Sequence, residues 1–449
     1  MPLLKKLFWL YFLLLIFEGA LRKWIVPQLS APLLLVRDPV GMLIIWEAYR
    51  THKWPKQWSV VTAILTVGLA GLCVMQTVVV DNPWFAALYG LRSYLLPFPV
   101  AFIMGENLDE EDLHKFGICT LWLLLPLTAL EVAQYLAPAS SWLNAGAYAG
   151  AGQINYVGAH VRASATFSFV AGSVAFGCLA AAFIFYGLVN ERFAKKWLLW
   201  AASFALILSI PVIGARELVF ELLAVIVCVV IGALFGVSQF AKSLRIILPV
   251  LAVALLVSLL PVFSEASNSL TERFTQASAS EGGSVQQSFM DRTINEFTGR
   301  FGETDFMSNP LGIGMGIGAA ATSTLLTGAP EFLAGEDEFG RNVIELGPFP
   351  GVAYMLFRVL LAIFILSMAL SRARDHQPLA LLLVPGVFAT LLFAILEQPT
   401  LQGFMVISVA FSLAAIRVAG KAVEPALLMN PRWRPVHSSL RSLNRTNRY

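Results

Sequence analysis

Residues 7–27 read LFWLYFLLLIFEGALRKWIVP. An unbroken apolar run, Leu7–Phe17, is followed within six residues by Glu18, Arg22 and Lys23, and then by the apolar Trp24-Ile25-Val26. The question is whether the charges follow a membrane-spanning helix or belong to it. At about 1.5 Å per residue, Leu7 to Val26 covers about 30 Å, one hydrocarbon thickness. The charged stretch is therefore read as the outer half of the helix, ended by Pro27. Glu18 then lies near mid-depth and Arg22 one turn later, in the favourable i,i+4 order. The spacing predicts that this pair neutralises itself, while Lys23 snorkels to the head groups and Trp24 anchors there. A second pair, Arg37-Asp38, follows early in the next helix. Either these pairs are scaffold, or Arg22, Lys23 and Arg37 add positive charge to an outer cavity.

The rest of the chain agrees with a membrane setting. Of 449 residues, 57% are hydrophobic and 13% charged, where a soluble protein carries about 25% charged; mean hydropathy is +0.72. A formal charge of +3 is too small to imply nucleic acid as a partner. Cys73, Cys119, Cys178 and Cys228 fall singly in apolar runs, which reads as core and not as a disulfide framework or metal site. With no small-residue cleavage site after the first apolar run, that run reads as a retained helix.

Stretches long and apolar enough to span are predicted at about 7–27, 32–49, 58–80, 84–105, 116–137, 166–189, 197–214, 217–237, 246–263, 349–371, 378–397 and 400–419. The expected fold is all-α: a polytopic protein of about twelve transmembrane helices over 1–419, with one large extracytoplasmic loop at 264–348. Residues 420–449 form a basic cytoplasmic tail, expected to be disordered and to lie on anionic lipid. Lys and Arg alternate between loops so as to place both termini in the cytoplasm.

Candidate chemistry then gathers on the outer side. Arg162 precedes the sixth span in HVRASATFSF, and Arg216 lies in the tight turn GARELVFE; both offer guanidinium forks suited to phosphate, or snorkel as isolated arginines do. In AGEDEFGRNVIELGPFPG, residues 334–351, Glu338, Arg341, Asn342 and Glu345 share one helix face, with Glu336 just before it. A carboxylate there is a candidate general base, or the segment is an acidic cap. NPLGIGMGIG, residues 309–318, lacks the strand–helix context of a nucleotide loop and reads as a turn permitting close backbone approach. Glu131, Glu221 and Glu397 are intramembrane acids, for proton relay or for pairing, with Arg92 as a candidate partner. His160, two residues from Arg162, reads as incidental or as a phosphate ligand. There is no metal-ligand pattern.

As an ordered set, RASATF, GARE, NPLGIGMG and RNVIELGPFPG resemble the O-antigen ligase and O-antigen polymerase family of bacterial envelope glycan enzymes, over roughly the third to the twelfth span. The resemblance implies a membrane glycosyltransferase of the multi-helix, glycosyltransferase-C-like class in the bacterial cytoplasmic membrane. Its donor would be a polyprenyl-pyrophosphate-linked oligosaccharide and its acceptor a growing glycan or a lipid, with neither metal nor cofactor. It implies that Arg162 and Arg216, with Arg341, hold the donor pyrophosphate, and that Arg216 assists the chemistry. His160, Asn342, Glu345, Arg22 and Arg37 would be accessory. The ligases carry a His in the late outer loop where this chain has GEDEFGRN, so Glu338 or Glu336 would have to act as base, and a polymerase is favoured. A secondary transporter or lipid-linked-sugar flippase, and a non-catalytic subunit docking on other polysaccharide-assembly proteins, are the competing classes.

Overall fold

The computed structural model describes residues 2–147, 156–157, 160–234, 309–319, 322, 338–374 and 378–429. The chain there is almost wholly helical: α1 (Leu3–Ala20), α2 (Arg37–Arg50), α3 (Ser59–Val79), α4 (Trp84–Leu95), α5 (Pro97–Asn107), α6 (Glu110–Leu136), α7 (Val170–Val189), α8 (Lys196–Ile213), α9 (Arg216–Leu234), α10 (Glu338–Leu346), α11 (Pro348–Arg374), α12 (Leu379–Phe388) and α13 (Pro399–Met429). One antiparallel ribbon pairs Tyr156–Val157 with His160–Val161. Eight helices of the described residues are long and apolar enough to cross a membrane. Helices of this kind repeated along one chain make a multi-pass membrane protein. α3 shows the lipid-facing pattern most plainly: Val60, Ile64, Val67, Val74 and Val78 are exposed along one side, at helical spacing.

The expected spans are modified where local chemistry interrupts them. α1 ends at Ala20, and the wide π-helical turn Leu21–Ile25 follows. The expected 84–105 span is two helices, because Pro97 starts α5 without a backbone N–H to give α4. The expected 378–397 span is α12, with Pro385 inside it, then a π-helical turn Ala389–Phe393 and an extended Ala394. The last helix does not stop near 419 but runs on to Met429, so the first part of the expected tail is helical. The expected 246–263 span, most of the 264–348 loop with Glu336, and residues 430–449 lie outside the described residues.

α13 is the centre of the bundle, packed along α5 and α12 and against α7. An aromatic core joins α1, α6 and α13, with Phe116 5.3 Å from Phe12 and 5.1 Å from Phe411 between ring centres. The helices alternate in direction, so two ends can be told apart. At one, Lys5 bonds Asp109 at 2.5 Å, Asp109 caps α6 in a capping box with Asp112, and Arg417 donates to the carbonyls of Gly105 and Leu108. The opposite end holds every described candidate residue.

Candidate functional site

The first cluster is built on the strap that precedes α7, residues 162–168. Gln134, fully buried near the end of α6, holds it in place. Its Oε1 accepts from the N–H groups of Ser164 at 3.1 Å and Ala165 at 2.8 Å, and its Nε2 donates back to the Ala165 carbonyl at 3.2 Å. Ala165 takes a left-handed φ of 46°, and the Thr166 hydroxyl donates to the Ile16 carbonyl of α1 at 2.6 Å. Gly19 lets α1 lie against this strap, because a Cβ there would overlap the backbone of Thr166–Ser168.

Arg162 donates from Nε to the carbonyl of Ile213 at 3.2 Å. Ile213 ends α8; Gly214 turns the chain with a φ of 59°, and Arg216 begins α9. Val170 and Val174 of α7 pack on Ile213, Ala215 and Leu218. The two arginines singled out in the sequence therefore come to the same corner, with the N-terminal ends of α7 and α9. Arg162 also caps a helix C-terminus there, which is a structural use of its charge. Arg216 is half-buried, and among the described residues its side chain makes no hydrogen bond or ion pair. His160 sits beside them with Nδ1 2.9 Å from the Tyr135 carbonyl oxygen and its ring stacked on Tyr135 at 4.4 Å.

The charges of α1 and α2 are not paired as the local spacing predicts. Glu18 bonds Arg37 at 2.7 Å instead of Arg22, and Asp38 bonds Arg92 at 2.5 Å instead of Arg37. Tertiary packing outcompetes the i,i+4 pair because Arg22 turns to Ser168 Oγ at 2.8 Å and the Ser30 carbonyl at 2.9 Å. Arg37 also reaches the Pro399 carbonyl at the start of α13, and Arg92 the Gln402 side chain at 3.2 Å. Arg92 is thus not the partner of Glu131, Glu221 or Glu397.

The second cluster stands on α10. Glu338 bonds Arg341 at 2.9 Å through one oxygen and Arg358 through the other; Arg341 also pairs with Glu397. All four are buried. Arg358, in the middle of α11, donates Nε to the Leu391 carbonyl at 2.6 Å and Nη2 to the Ala394 carbonyl at 3.2 Å. It thereby satisfies the carbonyls exposed where α12 breaks. Arg341, expected at the donor pyrophosphate, is committed to two carboxylates, and Glu338, expected as base, to two guanidinium groups. Asn342 is fully buried and neither amide atom has a hydrogen-bond partner.

The glycine loop joins this cluster. Glu345 accepts from the N–H groups of Gly316 at 2.9 Å and Gly318 at 3.0 Å and from the Tyr94 hydroxyl at 2.9 Å. Gly312, Gly314 and Gly316 have φ of 71°, 120° and 77°, a sequence open to glycine alone without strain. The loop does cradle an anion, and the anion is the chain's own carboxylate. It is also the close approach expected of it: Gly90 of α4 meets Met315 and Gly316 with no room for a side chain. Gln76 ties α3 to the loop through the Leu311 and Glu345 carbonyls at 2.6 and 2.7 Å.

Gln76, Tyr94, Gln134 and Arg358 were not singled out in the sequence. Their signal was available: a polar side chain inside an apolar span must find a partner or a function. Among the described residues no group of three or more His, Cys, Asp or Glu side chains is placed to hold a metal ion. No protein-family model matches the chain, and no curated protein matches it.

Proposed function

We propose that the protein is a membrane glycosyltransferase that polymerises, or ligates, lipid-linked glycans. The observation that carries this reading is the meeting of Arg162 with the Ile213–Arg216 turn at the start of α9. Two guanidinium groups and the positive ends of two helices at one corner suit a pyrophosphate. That end of the bundle faces the outside of the bacterial cytoplasmic membrane, with both termini in the cytoplasm.

In the proposed reaction, an acceptor hydroxyl attacks the anomeric carbon of the donor sugar. The bond from that carbon to the pyrophosphate oxygen breaks, and its electron pair leaves with the polyprenyl pyrophosphate. The hydroxyl proton passes to Glu336 or to the departing pyrophosphate. Pyrophosphate is a good leaving group, so positioning and charge stabilisation by Arg162 and Arg216 supply most of the catalysis. Glu338, clasped by Arg341 and Arg358, fixes α10 against α11. Purified protein given a lipid-linked oligosaccharide tests this directly. A ladder of products means polymerase, a single transfer to lipid means ligase, and no transfer by protein that is folded overturns the assignment.

Secondary transport is the second reading, favoured by the break at 394–398 with Glu397 buried in it, since transporters place ion sites at discontinuous helices. Solute uptake into proteoliposomes that is lost in Glu397→Gln would reverse the ranking.

A further inference from the structure

A cation taken out of water is costly unless a carboxylate accompanies it. Five are buried among the described residues: Arg22, Lys23, Arg37, Arg341 and Arg358. Arg37, Arg341 and Arg358 are paired with carboxylates. Lys23 is not. Its ammonium, on a side chain only 4% exposed, donates to the Ser164 hydroxyl at 2.6 Å and to the Ala165 carbonyl at 3.3 Å.

The surroundings explain where a compensating charge belongs. The π-helical turn Leu21–Ile25 directs two successive residues to one strap, Arg22 to Ser168 and Lys23 to Ser164; such turns recur at functional sites. The strap begins with Arg162 and leads into the N-terminus of α7, which packs on the start of α9 at Arg216. The nearby acids of α1 and α2 are engaged elsewhere, Glu18 with Arg37 and Asp38 with Arg92. In a low-dielectric setting an ammonium with no carboxylate beside it, as at Lys23, attracts an anion strongly.

We infer that Lys23 and Arg22 join Arg162, Arg216 and the N-termini of α7 and α9 in one binding site for a phosphorylated headgroup of at least two negative charges, and that this anion, not a protein carboxylate, compensates Lys23. Lys23 acts from behind Ser164 as a positioning residue. The inference rests on the proposed function only in naming a lipid pyrophosphate as the natural anion.

The test is thermal unfolding of the full-length protein in detergent, titrated separately with inorganic pyrophosphate, farnesyl pyrophosphate and phosphatidylglycerol. Wild type is expected to be stabilised by the pyrophosphates. Lys23→Met should bind them at least tenfold more weakly, yet melt no lower than wild type without them, because an uncompensated charge has been removed. Lys23→Arg should retain binding. If Lys23→Met is not recovered folded, Lys23→Gln, which keeps a hydrogen bond to Ser164, is read in the same way. Stabilisation by phosphatidylglycerol, which carries a single negative charge, without stabilisation by either pyrophosphate overturns the inference. Equal binding in wild type and variant, no binding by wild type, or a large loss of melting temperature without any anion overturns the inference. Glycan transfer is not part of the readout, so a Lys23-dependent site on a protein without transferase activity sinks the proposed function alone.

Discussion

Glu345 closes the glycine loop by accepting the N–H of Gly316 at 2.9 Å. An anion nest and its occupant are thus encoded in one chain, 29 residues apart. The Glu345 carboxylate also takes the Gly318 N–H and the Tyr94 hydroxyl, so it fastens the loop, α4 and α10 together. Glu345→Ala leaves three buried donors without an acceptor. With charged hydrogen bonds worth about 1.5–3 kcal/mol, a loss of roughly 3 kcal/mol or more is expected, read as a lowered melting temperature and as new proteolytic cleavage near 309–319. Glu345→Gln, which keeps one acceptor oxygen, should lose less.

Arg162 and Arg216 should separate in stability although both abolish long-chain product. Arg162→Ala removes a cap on the Ile213 carbonyl and should cost about 1 kcal/mol besides activity. Arg216→Ala breaks no side-chain bond among the described residues and should melt as wild type does. Product ladders and melting curves on the same preparations check both statements.

Glu18 and Arg37 form a buried pair. Removing one partner strands the other, at a cost of about 3–5 kcal/mol. Replacing both, as Glu18→Gln with Arg37→Gln, should cost clearly less than the two single changes added together. A double-mutant cycle with Arg22 in place of Arg37 should show little coupling, because Arg22 bonds Ser168 and not Glu18.

At the other end of the bundle, Asp109 is exposed enough to titrate. Burial raises its pKa, but the Lys5 ammonium and the capping bonds with Asp112 together outweigh this and hold the carboxyl at about 2. A depressed pKa contributes stability in full above the unfolded value of about 4 and loses it as pH falls through the folded value. Acid melts of wild type should therefore show a loss between about pH 4 and pH 2 that is absent in Asp109→Asn. At neutral pH that variant should lose about 1 kcal/mol, an N-cap's worth.

Much of the fold was legible because the bilayer imposes long apolar helices, and α3, α7, α8 and α9 follow composition alone. Where the reading departed from the structure, a local rule met a tertiary competitor. Glu18 and Arg22 have ideal spacing for a pair on an isolated helix, yet Arg37 and Ser168 come from other segments and win. The glycine loop was legible as a place of close approach, and Glu345 as part of a polar helix face; that one serves the other depends on the folding back of α10. Arg358 was overlooked inside a long apolar run. Its need becomes visible only once α12 is known to break at Ala394.

Arg358 has a consequence for how the chain enters the bilayer. It lies about 15 Å into α11, where an arginine costs about 3 kcal/mol to insert. Two of its partners, the carbonyls of Leu391 and Ala394, are synthesised after it, whereas Glu338 is synthesised before it. The ion pair gives Arg358 a counter-charge from α10 while α12 is still in the ribosome. In a translocation assay of chains truncated before α12, Glu338→Gln should therefore lower the integrated fraction of α11, and Arg358→Leu in the same chain should restore it.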